Sequence, residues 1–203
     1  MRTDEALQQM PDTEVMLQVQ WGSEPAFAEV YRRYYRRLLD FFYGMSVSAS
    51  GSGRGDAQVA EDLCHETFLR LWRLRVRYRA SGSFAAYLFT IARHIWQERR
   101  RQLRKEWRLK MVHPADGIEN ALVAAQDATP DELSHRAEVT ERIHSALARL
   151  PDEQRMAFVL RTIEGLSLGD IAEVMKCPVN TVRSRRLLAV KQLRKVLRGL
   201  FVV

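Results

Sequence analysis

Hydrophobic residues along this chain recur at steps of three and four rather than two, so each periodic segment reads as a helix. Between Glu24 and Met45, the residues Phe27, Val30, Tyr31, Tyr34, Leu38, Phe41 and Phe42 form one apolar stripe. The Gly/Ser-rich run 46–55 breaks it and reads as a flexible loop. A second helix is predicted from Asp56 to about Arg77, with Leu63, Thr67, Leu71 and Leu74 in line and Cys64 and Phe68 beside them. Arg79-Ala80-Ser81-Gly82 interrupts the pattern, and Ser83 is placed to cap the next helix. That third helix, Phe84 to about Lys110, carries Phe84, Leu88, Ile91 and Ile95 on one face. Arg93, Gln97, Arg100 and Arg104 fall on another, as an outer cationic row. After an aperiodic stretch with Pro114, Gly117 and Pro130, four shorter helices are predicted at Arg136–Leu150, Asp152–Ile163, Ser167–Lys176 and Pro178–Leu200. No useful alternation of period two occurs. The expectation is an all-α chain of two small helical domains, 24–110 and 136–203, joined by a flexible linker at 111–135 and preceded by an N-terminal extension, 1–23.

Charge sharpens this division. The net charge is +7 in 203 residues, but 1–110 carries +6, 111–140 carries −5, and 141–203 carries +6. Two basic modules on an acidic tether point to polyanion-facing parts held by a strap that DNA repels. Of eighteen aromatic residues, sixteen precede Met111. The first module therefore offers ring faces as well as cations, as unpaired bases require, unless those rings fill its core. The second offers cations with few rings, which suits duplex DNA.

Several function classes drop out. Cys64 and Cys177 cannot build a disulfide framework and lack zinc spacing. His65, His94, His113, His135 and His144 form no metal-binding pattern, and neither a P-loop nor a Gly-x-Ser-x-Gly elbow is present. No catalytic residue, metal or cofactor is expected. Apolar runs are too short for a membrane span, which takes about 20 residues. Asp4, Glu5, Asp12 and Glu14 argue against a signal peptide. The expected location is the cytoplasm, with no stable membrane insertion.

The stretch from Leu166 to Arg186 has helix-turn-helix grammar. Leu168, Ile171, Ala172 and Met175 point inward, a break falls at Lys176-Cys177, and Pro178 sits where a second helix makes its first turn. In that geometry the second helix enters the major groove. Asn180, Thr181, Arg183, Ser184, Arg185 and Arg186 occupy the entering segment, with chemistry suited to base edges and phosphates. Val182, Ala189, Val190, Leu193 and Leu197 supply the buried side. The alternative is a generic helical unit with a solvated Arg row.

These residues, with a second set upstream, resemble bacterial RNA polymerase sigma factors of the extracytoplasmic-function (ECF) type. The run AEDLCHETFLRLW (60–72) is similar to the sigma region-two helix that docks on the polymerase clamp. FAAYLFTIARH (84–94), continuing into ERRR (98–101), is similar to the promoter-melting and minus-ten-reading segment. Leu150-Pro151, Arg155, EGLSL (164–168) and TVRSR (181–185) are similar to sigma region four. The resemblance covers about 24–110 and 136–198, with departures at Val59, Cys64-His65, Tyr87, Asn180 and Arg186, the last standing where the family has a core Leu.

The resemblance implies a specificity subunit that binds core RNA polymerase, recognises minus-thirty-five and minus-ten promoter DNA and assists melting, usually under an anti-sigma factor. It implies clamp contacts at Glu61, Asp62, His65 and Glu66, which otherwise read as solvated helix acids. It implies minus-ten contacts at Arg79, Ser81, Ser83, Tyr87, Arg93, His94, Gln97, Arg100 and Arg101, with the Arg79–Ser83 loop either capturing a base or serving as a plain turn. Minus-thirty-five contacts fall at Asn180, Thr181, Arg183, Ser184, Arg185 and Arg186. The acidic linker either threads the RNA-exit path or is a solubilising spacer. Two rival readings are a stand-alone helix-turn-helix regulator and, for Cys64-His65, a metal or redox sensor.

Overall fold

In a computed structural model the described residues are 2–47, 53–112 and 142–197, and all their regular structure is helical. Two short helices, α1 (Arg2–Gln9) and α2 (Asp12–Gln20), precede α3 (Glu24–Ser46). The Ser23 hydroxyl caps α3 by accepting from Ala26 N at 3.3 Å. Next come α4 (Gly53–Leu74), a 3-10 turn (Arg75–Arg77) and α5 (Phe84–Val112). Helical residues 142–148 (α6) open the second module, followed by α7 (Asp152–Thr162), α8 (Leu168–Met175) and α9 (Val179–Leu197).

The boundaries differ from expectation in small, explicable ways. Gly53–Gly55, read as loop, already belongs to α4. The second predicted helix loses its α-form at Leu74 and tightens into the 3-10 turn, as helix ends commonly do. Ser83 caps α5 as predicted, accepting from Ala86 N at 3.3 Å. The acidic linker beyond Val112, and residues 136–141 of the next predicted helix, lie outside the described residues.

Helices α3, α4 and α5 pack into the first module through Tyr34, Leu38, Phe41, Phe42, Phe68, Leu71, Leu88 and Phe89. The N-terminal extension is also part of it. Val15, Met16 and Val19 are fully buried, and Arg33 on α3 gathers the segment. Its guanidinium donates to the carbonyls of Leu7 (2.6 Å), Gln8 (3.0 Å) and Met10 (2.9 Å), and to Asp12 at 2.6 Å. Tyr34 Oη donates to the other Asp12 oxygen at 2.5 Å. Buried Glu29 bridges Arg32 and Arg33, whose guanidinium groups hold its carboxyl down to about 2.

The second module has the helix-turn-helix arrangement. Ser167 and Asp170 form a reciprocal capping box at the start of α8. Lys176 ends it in the left-handed region (φ +50°), a conformation that glycine or asparagine adopts more readily. Pro178 stands just ahead of α9, its carbonyl accepting from Thr181 N and Val182 N.

The modules are packed against one another. Buried residues of α7 and α8, including Val159, Leu160, Ile171, Val174 and Met175, share one core with α3 to α5. A Cβ on Gly44 of α3 would meet Val159 Cγ2 at 3.2 Å, so glycine permits that approach. Arg155 of α7, itself buried, donates to Met45 O (2.8 Å), Val47 O (3.4 Å), Ala148 O (3.0 Å) and Leu150 O (3.2 Å). Its charge satisfies chain ends of both modules.

Candidate nucleic-acid interface

The α4 surface presents a stripe at helical spacing. Asp62 and His65 are exposed, and Glu61 and Glu66 are half-buried. Gln58 Nε2 donates to Asp62 at 3.2 Å. Glu66 pairs with Arg70 (3.1 Å), which also reaches Glu98 of α5 at 2.9 Å. Leu69 continues the stripe and is 52% exposed. The sequence reading missed it because leucine on an amphipathic helix counts toward the core. Its step from Asp62 and His65 was the available signal. Cys64, next to this face, is fully buried, and its thiol donates to Tyr35 O at 3.7 Å. Burial pushes that thiol up to about 12, which keeps it protonated and unreactive. No group of three or more metal-ligating residues occurs among the described residues.

The loop before α5 is built by Gly82, whose φ of +94° suits glycine. Arg79 and Ser81 are exposed, and Ser81 N donates to Arg79 O at 2.7 Å. Tyr87 is half-buried, with its ring 5.0 Å from Tyr78 and 6.5 Å from Phe84.

The cationic face of α5 is not an open outer row. Arg93, His94, Gln97 and Arg100 are all half-buried, and α8 lies against this helix. Arg93 Nε is buried without a hydrogen-bond partner. Arg100 forms an ion pair with Asp152 of α7. Burial, with Lys176 and Arg93 close by, pulls His94 below its ordinary range and favours its neutral form. Glu173 of α8 reaches Gly82, where an added Cβ would lie 3.6 Å from its carboxylate. Arg101 is exposed, and so is Arg104 at the far end of the row. An open cleft of about 310 Å³ remains between Trp96, Gln97, Arg100 and Arg101 on one side and Asp152, Glu153 and Met156 on the other.

On α9 the six predicted contacts divide. Asn180, Arg183 and Ser184 are exposed and share one face, where Ser184 Oγ donates to Asn180 O at 3.0 Å. Thr181 is half-buried at its edge. Arg185 turns back to Glu153 (2.9 Å) and to Cys177 Sγ (3.5 Å). Arg186 lies in the inward register of Val182, Ala189 and Leu193, with its Nε buried. Leu187 and Leu188 are exposed instead. Arginine therefore occupies the seam where the family pattern has leucine.

Comparison with known proteins bears on both modules. The profile for sigma-70 region 2 matches residues 30–108, and that for sigma-70 region 4 matches residues 140–193. RNA polymerase sigma-H factor of Pseudomonas aeruginosa is 31% identical over 199 residues, covering 96% of this chain and 97% of its own. The ECF RNA polymerase sigma factor SigW of Bacillus subtilis is 28% identical, covering 90% and 95%. Among solved structures, the sigma factor RpoE of Bartonella quintana, in complex with the anti-sigma factor NepR, superposes with a TM-score of 0.61 at 26% identity, covering 85% of this chain and 96% of that one. CnrH, in complex with the cytosolic domain of CnrY, shares the fold at 20% identity and a TM-score of 0.67, covering 93% and 97%. The ordered matches to both regions, and a relative aligned over nearly its whole length, show that this chain belongs to the ECF type of RNA polymerase sigma factor, a transcription regulator rather than an enzyme.

Proposed function

We propose that the chain works in the cytoplasm, carrying core RNA polymerase to promoters with a division of labour along its two modules. The α4 face of Glu61, Asp62, His65, Glu66 and Leu69 meets the polymerase clamp. Its acids suit a basic protein surface and would repel DNA, and Leu69 supplies the apolar contact that a protein interface needs. The Arg79–Ser83 loop and the α5 face of Tyr87, Arg93, His94, Gln97, Arg100 and Arg101 take the minus-ten element. The α9 face of Asn180, Thr181, Arg183 and Ser184 takes the minus-thirty-five element, with Arg185 and Arg186 steadying the helix. An anti-sigma factor holds the protein inactive, as the anti-sigma factor NepR is found in complex with RpoE.

The observation that carries this reading is the packing of α8 against α5, together with the hold of Asp152 of α7 on Arg100. A minus-ten face whose Arg93, His94, Gln97 and Arg100 are partly covered by the other module cannot engage DNA along its length until something separates the two. That requirement favours a subunit opened by polymerase over a regulator acting alone. Once each module is seated on its own polymerase surface, the second DNA contact becomes intramolecular, and two weak readers act as one.

Run-off transcription with core enzyme, paired with a gel shift of the isolated chain on the same promoter, tests the reading. Promoter-specific transcripts with core, and weak binding without it, are expected. Tight binding by the isolated chain with no transcript on adding core would overturn it.

A further inference from the structure

The end of α2 lies ahead of the residues matched by the region 2 profile, yet it is tied to the proposed minus-ten loop. Gln20 Nε2 donates to Val76 O (3.1 Å) and Tyr78 O (3.2 Å), the stretch leading into Arg79–Ser83. The next residue, Trp21, is 88% exposed, the most exposed of the large apolar side chains among the described residues. Gly22, at φ +88°, turns the chain immediately after it. Beside it, Arg75 lies over the Trp72 ring at 4.2 Å, with Nη1 donating to Trp72 O at 2.8 Å and Nε buried without a hydrogen-bond partner. Trp21, Arg75 and Val76 line a pocket of about 320 Å³, and Arg77 and Arg79 come next along the chain, both exposed.

An indole ring left in water, sharing a pocket with an arginine, suits a ligand with a flat π-face and an adjoining negative charge. A nucleotide has both. Duplex DNA hides its base faces, so the match is to a single strand, where stacking tolerates any base. We infer that Trp21 is a stacking platform for an unpaired promoter base, with Arg75 taking its phosphate, beside the Arg79–Ser83 loop proposed to take the minus-ten element. The inference rests on the sigma-factor reading above and adds a contact from the segment before region 2. Trp21 thereby helps hold the melted strand open.

The test uses the full chain with core polymerase and fork-junction promoter DNA, scanning 2-aminopurine through the single-stranded positions. Wild-type protein is expected to quench the probe at one single-stranded position. W21A should abolish that quench and weaken fork binding about tenfold. W21F and W21Y should restore both, whereas W21L should not. An abasic site at that position should weaken wild type equally and leave W21A unchanged. Core affinity and minus-thirty-five duplex binding should not move. Equal fork binding by wild type and W21A would overturn the inference, as would rescue by W21L. Loss of core affinity in W21A would also overturn it by assigning Trp21 to a protein contact. If wild type with core forms no promoter complex, the sigma-factor reading itself falls.

Discussion

Arg37 on α3 and Glu164 after α7 join the two modules through both side chain and backbone: Arg37 Nε donates to the Glu164 carboxylate at 3.3 Å, and Nη2 to its carbonyl at 3.0 Å. The Glu164 side chain is only 1% exposed, and its Oε1 is buried without a partner. Arg37 also lies over the rings of Tyr34 (4.9 Å) and Phe89 (5.6 Å). The contact is thus a charge pair placed in an aromatic setting, where a carboxylate with one unsolvated oxygen is costly.

Opening of the modules should depend on pH through this residue. Burial raises the Glu164 carboxyl from 4.5 to about 7, with Asp40 adding to the rise and Arg37 opposing it. The closed form therefore binds the proton more tightly than the open one. Its advantage is fully present below about 4.5 and is lost as pH rises through about 7. The shift corresponds to a ceiling of about 3 kcal/mol. Small-angle scattering from pH 5 to 8 should show wild type expanding with pH and E164Q staying flat. An identical response in both would remove Glu164 from the switch.

Arg155→Ala should be among the most damaging substitutions. It leaves the carbonyls of Met45, Val47, Ala148 and Leu150 without their donor in a buried site. A loss of about 3 kcal/mol is expected by chemical denaturation. Lysine lacks the forked reach to replace it. A change within error for R155A would show that water takes over these acceptors.

Arg183 and Arg185, two residues apart, should fail in different ways. Arg183→Ala, at an exposed position, should cost about 1–3 kcal/mol of minus-thirty-five discrimination and leave the melting temperature unchanged. Arg185→Ala removes the pair with Glu153 and should lower the melting temperature first. Selectivity measured at several salt concentrations, alongside thermal melts, separates them. A swap of the two phenotypes would mean that α9 faces DNA with the other side.

Leu69→Asp should weaken binding to core polymerase about tenfold or more while the free protein melts normally, because the side chain is half exposed and contributes little to the core. Titration of labelled protein with core enzyme reads this directly. Unchanged affinity would move the clamp contact off this part of α4.

Much of the architecture was legible along the chain. The stripes of α3, α4 and α5, the cap at Ser83 and the helix-turn-helix break at Lys176-Cys177 all come from local rules of spacing, capping and turn chemistry. The N-terminal helices were not legible. Leu7, Val15, Met16 and Val19 make too sparse a pattern alone, and their seat depends on Arg33 and Tyr34, more than ten residues away.

The candidate site divides along the same line. Spacing sufficed to place Asp62, His65 and Glu66 on one helix face and to bring Asn180, Arg183 and Ser184 together, because a helix converts sequence separation into angle without outside help. Which arginines are free to meet DNA was decided elsewhere. Arg100 is held by Asp152, Arg185 by Glu153, and Arg186 is turned into the seam beneath Val182 and Ala189. Periodicity along one helix cannot state what a second element lays across it. The availability of a charge depends on that neighbour, so the sequence by itself determined the helices and their faces, and the tertiary packing decided which faces are covered.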